Sequence, residues 1–201
     1  MWIDHVVVTA PSLEEGAALV AGRLGRTPVP GGRHALMGTH NLLLGLGPGL
    51  YLEVIAIDPA APPPGRPRWF RLDERRGGAA LTNWVARTGD LDAALAAAPP
   101  GAGLATDLAR GDYRWRFGVP DDGRLPFDDV FPALIEWRGG RHPADDLPDS
   151  GCRLAGLTLR HPDAAGLRLA LGAGDARLRI EPGPAGLSAR IALPGGGEAL
   201  L

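Results

Sequence analysis

Four residues able to bind a ligand or carry a proton recur at matched places in two similar segments. His5 is the third residue of Ile3-Asp-His-Val-Val-Val-Thr9, and Asn83 is the third of Leu81-Thr-Asn-Trp-Val-Ala-Arg87. Each segment is followed by an apolar run with one acid inside it: Glu53 in Tyr51-Leu-Glu-Val-Ile55 and Glu136 in Ala133-Leu-Ile-Glu-Trp137. The separations are alike, 48 residues from His5 to Glu53 and 53 from Asn83 to Glu136. A duplicated unit with this layout brings two polar side chains and two carboxylates to one shared site. Imidazole and carboxylate can move protons or offer hard ligands to a divalent cation.

The elements that must hold these residues are legible in outline. Ile3 to Thr9 is β-branched and reads as a strand. Pro11-Ser12-Leu-Glu-Glu15 opens a helix with Ser12 as its cap and acids in its first turn, ending near Gly25. Leu13, Ala17, Val20 and Leu24 fall on one face of that helix, suited to covering a sheet. Three strands are then predicted, at residues 34–39, 41–46 and 50–57, separated by Gly and Pro turns. The same order returns with a strand at 81–87, a helix at 91–98 capped by Asp90, and strands near 105–109, 113–119 and 131–137.

The chain therefore divides into a first βαβββ module (1–58), a Pro- and Arg-rich linker (59–78), a second module (79–138), a second linker (139–152) and a partial third βαββ unit (153–201). The expected fold class is α+β, with paired modules forming a curled, cup-like mixed sheet.

Composition removes several functions. All 21 basic residues are Arg, so Schiff-base chemistry, pyridoxal phosphate and a P-loop lysine are out of reach. Only Ser12, Ser150 and Ser188 are present, and none sits in a Gly-x-Ser-x-Gly elbow. The net charge of −2, without long runs of one sign, argues against nucleic acid or an anionic membrane as partner. No signal peptide or apolar span is legible, which predicts a cytoplasmic protein. Cys152 is the only cysteine, so there is no disulfide. Gly45-Leu-Gly-Pro-Gly49 superficially suggests a nucleotide loop, but a strand rather than a helix follows it, so it is a turn and no nucleotide is expected.

The opening Asp-His strand, the repeated order of elements and the acid in the last strand of each unit resemble the vicinal oxygen chelate superfamily. The run Pro30-Gly-Gly-Arg-His-Ala-Leu-Met-Gly-Thr-His-Asn41 with Leu50-Tyr-Leu-Glu-Val-Ile55 is similar to the bacterial glyoxalase-like domain proteins. That resemblance implies a bacterial lyase, isomerase or dioxygenase acting on a small molecule, and it leaves a homodimer open. It also implies a divalent metal (Zn, Mn, Ni, Fe or Mg) held by His5, Glu53 and Glu136, with Asn83 in place of the usual fourth ligand. The alternative is a metal-free cup of the same fold that binds or sequesters a small molecule.

Strand alternation agrees with this placement for the first module. His5 shares a face with Ile3 and Val7, and Glu53 shares one with Tyr51 and Ile55. Asp4, Val6 and Val8, with Leu52, Val54 and Ala56, are expected under the helix. His40, at the expected mouth of the cup, is a candidate general base or an ordinary turn histidine; Glu136 is the second proton-moving candidate. Asn83, Tyr51, Trp137 and Arg87 are the expected substrate contacts, with Trp69, Phe70 and Arg71 as further wall or grip residues. His34, His142 and His161 are read as strand-start, loop and cap residues outside the site.

Overall fold

The computed structural model describes residues 1–201 and contains two sheets. The first module is β1 (Trp2–Thr9), α1 (Leu13–Leu24), β2 (Val29–His34), β3 (Thr39–Gly45) and β4 (Tyr51–Ile57). The second is β5 (Ala80–Arg87), α2 (Leu91–Ala97), β6 (Leu104–Arg110), β7 (Tyr113–Val119) and β8 (Ala133–Arg138). After a short helical turn, α3 (Pro143–Asp146), the chain continues through β9 (Arg153–His161), α4 (Ala164–Leu171), β10 (Leu178–Pro182), β11 (Gly186–Ala192) and β12 (Glu198–Leu200).

The large sheet has the order β2-β3-β4-β1-β5-β8-β7-β6. Within each module the first and last strands pair in parallel, β1 with β4 and β5 with β8, because the intervening helix carries the chain across the sheet. The modules join where β1 and β5 run antiparallel. This is the expected curled pair of modules.

Local signals explain the helices. Ser12 accepts a hydrogen bond from the Glu15 N–H, and Gly25 closes α1 in the left-handed conformation with φ 63°. Asp90 caps α2 in the same way through Ala93. Gly16 lets α1 settle directly on β4, since a Cβ there would lie 2.2 Å from Val54 Cγ1. Leu52 and Val54 beneath it are fully buried, each contributing about 1.5–3 kcal/mol relative to exposure.

Two apolar layers result. The helix-covered side joins Ile3, Val6, Val8, Leu52, Val54, Trp84 and Leu134 into one core. The concave side packs Val7, Ile55, Val85, Trp115, Phe117 and Ile135 against Trp69, Phe70 and Leu72 of the first linker. That linker is thus a strap across the cup, and its turn at Trp69–Glu74 places Phe70 and Arg71 at φ 57° and 51°, conformations that L-residues rarely adopt.

Two expectations change. The strand expected at 34–39 lies instead at Val29–His34, with the hairpin turn centred on Met37-Gly38. Pro30 and two glycines suggested a turn there, yet β2 is an edge strand, where a missing N–H is tolerated. The third unit has three strands after its helix rather than two, in the order β10-β9-β11-β12 with β10 parallel to β9. Its Leu157, Leu159, Ala189 and Ile191 extend the helix-side core.

Candidate functional site

A β-bulge sets the site. Ile3 pairs with Ala86 and His5 with Val85, so Asp4 is the extra residue and the face parity of β1 changes there. Ile3 consequently belongs to the helix-side core, and Asp4 reaches the site with His5. This corrects the simple alternation that put Ile3 beside His5 and Asp4 on the opposite side.

Asp4 is completely buried. It accepts hydrogen bonds from His5 Nδ1 at 2.7 Å, Trp137 Nε1 at 2.9 Å and His142 Nε2 at 3.0 Å. The Ala144 N–H donates to His142 Nδ1, so the ring proton of His142 is the one given to Asp4. Burial pushes the Asp4 carboxyl up, but the hydrogen bonds from His142 and His5 outweigh it and hold the group well below the usual carboxylate range.

On its other side His5 Nε2 lies 3.6 Å from Glu53 Oε2. Burial pushes the imidazole down, and the two flanking carboxylates more than reverse this, raising it to about 9. The Glu53 carboxyl is lowered to about 2: burial pushes it up, while His5 first and Asn41 after it pull it down. At neutral pH the row is therefore carboxylate, imidazolium, carboxylate. Tyr51 stacks on the His5 ring at 4.4 Å, and burial with Asp4 and Glu53 nearby raises its hydroxyl well above the usual value, keeping it protonated.

The first hairpin and β6 complete the floor. Asn41 Nδ2 donates to Glu53 Oε1 at 2.6 Å, and its Oδ1 accepts from Arg110 at 3.1 Å. His34 Nε2 faces the donors of Asn41 and Arg110, each at 3.4 Å, so its proton lies on Nδ1 and is shared with Thr39 Oγ1 at 3.0 Å. Burial lowers His34 to about 4, leaving the ring neutral. Trp69, Phe70, Trp115, Phe117, Ile135 and Trp137 wall a cavity of about 40 Å³ over these groups. That is room for about three waters, or for the reacting end of a molecule.

Of the expected site residues, His5, Glu53, Tyr51 and Trp137 come together. Glu136 does not: on β8 the residues at 135 and 137 face the cavity, and Glu136 accepts from the Leu91 N–H at the start of α2 while pairing with Arg116 and Arg138. The expected metal and proton-transfer roles of Glu136 are corrected to helix capping and charge pairing. His40 alternates with Asn41 and lies on the helix side near Glu14, not at the cup mouth. Arg87, 3.7 Å from Asp4, supports that carboxylate from outside the cavity. Asn83 lines a separate groove.

The residues that sequence reasoning missed are Asp4, His34, Asn41, Arg110 and His142. Recognising the turn at Gly38, which needs φ 57°, would have set His34 opposite Thr39 and signalled the hairpin cluster. Nothing local signalled Arg110.

The donor set does not fit a divalent metal. His5 and Glu53 are the only members of the expected ligand trio in the cavity, and the second module offers Trp115, Phe117, Ile135 and Trp137 where further ligands would stand. The Arg110 guanidinium already supplies positive charge beside Asn41. No three His, Cys, Asp or Glu side chains are grouped so that they could hold a metal ion, and a site beside a fixed cation is a poor cage for Zn or Mn.

A family model described as a glyoxalase-like domain matches residues 3–173. Among solved structures the chain is similar to a hypothetical protein from Staphylococcus aureus, 13% identical with TM-score 0.62, over 92% of this chain and 87% of that one. It is also similar to methylmalonyl-CoA epimerase from Mycobacterium tuberculosis, 18% identical with TM-score 0.43 over 67% and 85% of the two chains. A Streptomyces coelicolor methylmalonyl-CoA epimerase in complex with 2-nitronate-propionyl-CoA is 15% identical, with TM-score 0.44 over 69% and 97%. No curated protein matches the sequence. The first of these structural likenesses bears on fold alone.

Proposed function

The chain belongs to the glyoxalase-like domain family of vicinal oxygen chelate proteins, and from that premise we propose that it is a small-molecule enzyme that transfers protons without a metal. The observation that carries this is the buried Asp4–His5–Glu53 row. Asp4 holds His5 Nδ1 tightly at 2.7 Å, whereas the 3.6 Å between Nε2 and Glu53 is longer than a hydrogen bond. The Nε2 proton is thus available to a substrate oxygen.

In the step this suggests, a C–H bond beside a carbonyl breaks and its proton passes to a Glu53 oxygen. The electron pair moves onto the carbonyl oxygen, which His5 Nε2–H stabilises. Return of the proton to another face or position of the carbon frame completes an isomerisation. Asn41 fixes the Glu53 carboxylate, and the aromatic walls exclude water. Lyase chemistry would start from the same abstraction.

The test is hydrogen exchange. A panel of small 2-oxo acids and ketones in D2O, with EDTA present, is followed by NMR for loss of the α-proton signal. Exchange above the buffer rate, reduced about 10²–10⁴-fold in Glu53→Gln, is expected. Exchange that requires added Zn, Mn or Ni would refute the metal-free mechanism. The aromatic lining favours a second reading, sequestration of a small apolar molecule; compounds that bind without any exchange would establish it instead.

A further inference from the structure

Beside the small cavity lies a groove of about 380 Å³, the size of a pocket for a metabolite rather than for a few waters. Phe70 lines both spaces, so they adjoin at that residue. The groove contains Asn83, which is 1% exposed and whose Nδ2 has no hydrogen-bond partner. A buried amide donor left unpaired is costly, so an unpaired amide in the lining of a groove is a donor awaiting an acceptor. Arg75 Nε, on the same wall, is likewise buried and unpartnered.

Charge sharpens the choice of acceptor. Two of the acids of the groove are paired, Glu74 with Arg71 and Arg124, each at 2.9 Å, and Asp129 with Arg71 at 3.2 Å, while the exposed Asp128 lies 3.3 Å from His161. Arg75 and Arg76 make no ion pair, and bond only to backbone carbonyls of Thr9 and the 75–78 turn. The groove thus offers two guanidinium groups without an ion-pair partner and two idle donors, which suit an oxyanion.

We propose that this groove is an anion subsite, formed by Asn83, Arg75 and Arg76, that holds a carboxylate or phosphate group of the substrate while its reacting end lies beyond Phe70 in the inner cavity. The placement of the reacting end rests on the acid–base reading above; the anion subsite rests on the groove alone. The substrate is accordingly a two-part molecule, a compact carbonyl-bearing head joined to an anionic tail.

The experiment uses the full chain and separates the two claims. The side-chain amide resonance of Asn83 and the Nε resonance of Arg75 are followed by NMR while malonate or inorganic phosphate is added at constant ionic strength. Saturable shifts of both resonances are expected. A response to malonate alone would identify a carboxylate tail, and a response to phosphate alone a phosphorylated one.

Arg76→Ala and Asn83→Leu are expected to weaken binding at least tenfold, with the melting temperature of Asn83→Leu unchanged or higher, because it deletes an unsatisfied donor. Glu53→Gln should bind the anion within twofold of the natural protein. No saturable shift with either anion, or unweakened binding in both variants, overturns the subsite. In the exchange assay, a 2-oxo diacid should show a KM at least tenfold below that of its monoamide, with similar kcat, and Asn83→Leu should abolish that preference. Anion binding without any exchange would leave the subsite standing and the proton-transfer reading refuted; exchange without anion binding would do the reverse.

Discussion

Replacing Asp4 by Asn tests the physical reasoning most directly. Asp4 is fully buried and takes three hydrogen bonds from His5, Trp137 and His142, the shortest at 2.7 Å. The amide keeps the shape but loses the charge, and one of its positions becomes a donor facing other donors. Breaking a buried charge pair by removing one partner costs about 3–5 kcal/mol. In a domain of this size each kcal/mol lowers Tm by about 2–4 °C, so a fall of about 6–20 °C is expected.

The pH dependence gives an independent reading. His5 rises from 6.5 to about 9 on folding, so its contribution is fully present below pH 6.5 and is lost as pH climbs to about 9. That difference corresponds to about 3 kcal/mol. In Asp4→Asn the His5 value moves down toward 6.5 and the alkaline loss shrinks with it. Urea unfolding at several pH values between 6 and 9, together with an NMR titration of the His5 ring, measures both effects. A variant that still titrates near 9, or that melts within about 2 °C of the natural protein, would show that Asp4 does not hold the imidazolium.

Glu136→Ala should lose about 1–3 kcal/mol in urea unfolding, because the Leu91 N–H at the start of α2 loses its acceptor, while proton exchange on the active compounds stays intact; a loss of exchange would return Glu136 to the chemistry. Gly16→Ala should destabilise by about 1–3 kcal/mol despite the better helix propensity of Ala, since its Cβ would meet Val54 Cγ1 at 2.2 Å; a rise in Tm would refute the close approach of α1 to β4. Acid unfolding should come in two parts. The neutral His34, lowered to about 4, contributes above pH 6.5 and loses that contribution as pH falls toward 4, and Glu53, lowered to about 2, loses its own between pH 4.5 and 2. An acid limb of the pH–stability curve that is unchanged in His34→Gln would refute the first part.

The two modules, their helix caps and the apolar rows under the helices were legible because they are written in local pattern. Ser12 and Asp90 announce helix starts, and the β-branched run of β1 announces a strand. Glu53 lines the cavity beside Tyr51, as alternation along the regular β4 predicts.

What failed did so by one step of parity. The bulge at Asp4 turned that carboxylate into the site and carried Ile3 out of it, and the register of β8 put residues 135 and 137, rather than Glu136, on the concave face. Because side chains alternate with period two, a one-residue shift exchanges every face assignment, and no local composition records it. Asn41 meets Glu53 across the paired strands β3 and β4, 12 residues apart, but Arg110 meets Asn41 from β6 at the opposite end of the sheet, 69 residues away, so that contact exists only once the sheet has curled. The sequence by itself determined which elements form and roughly which carboxylate would meet His5. Only the tertiary structure decided that the second carboxylate on that imidazole is Asp4, since that depends on where the backbone slips by one residue.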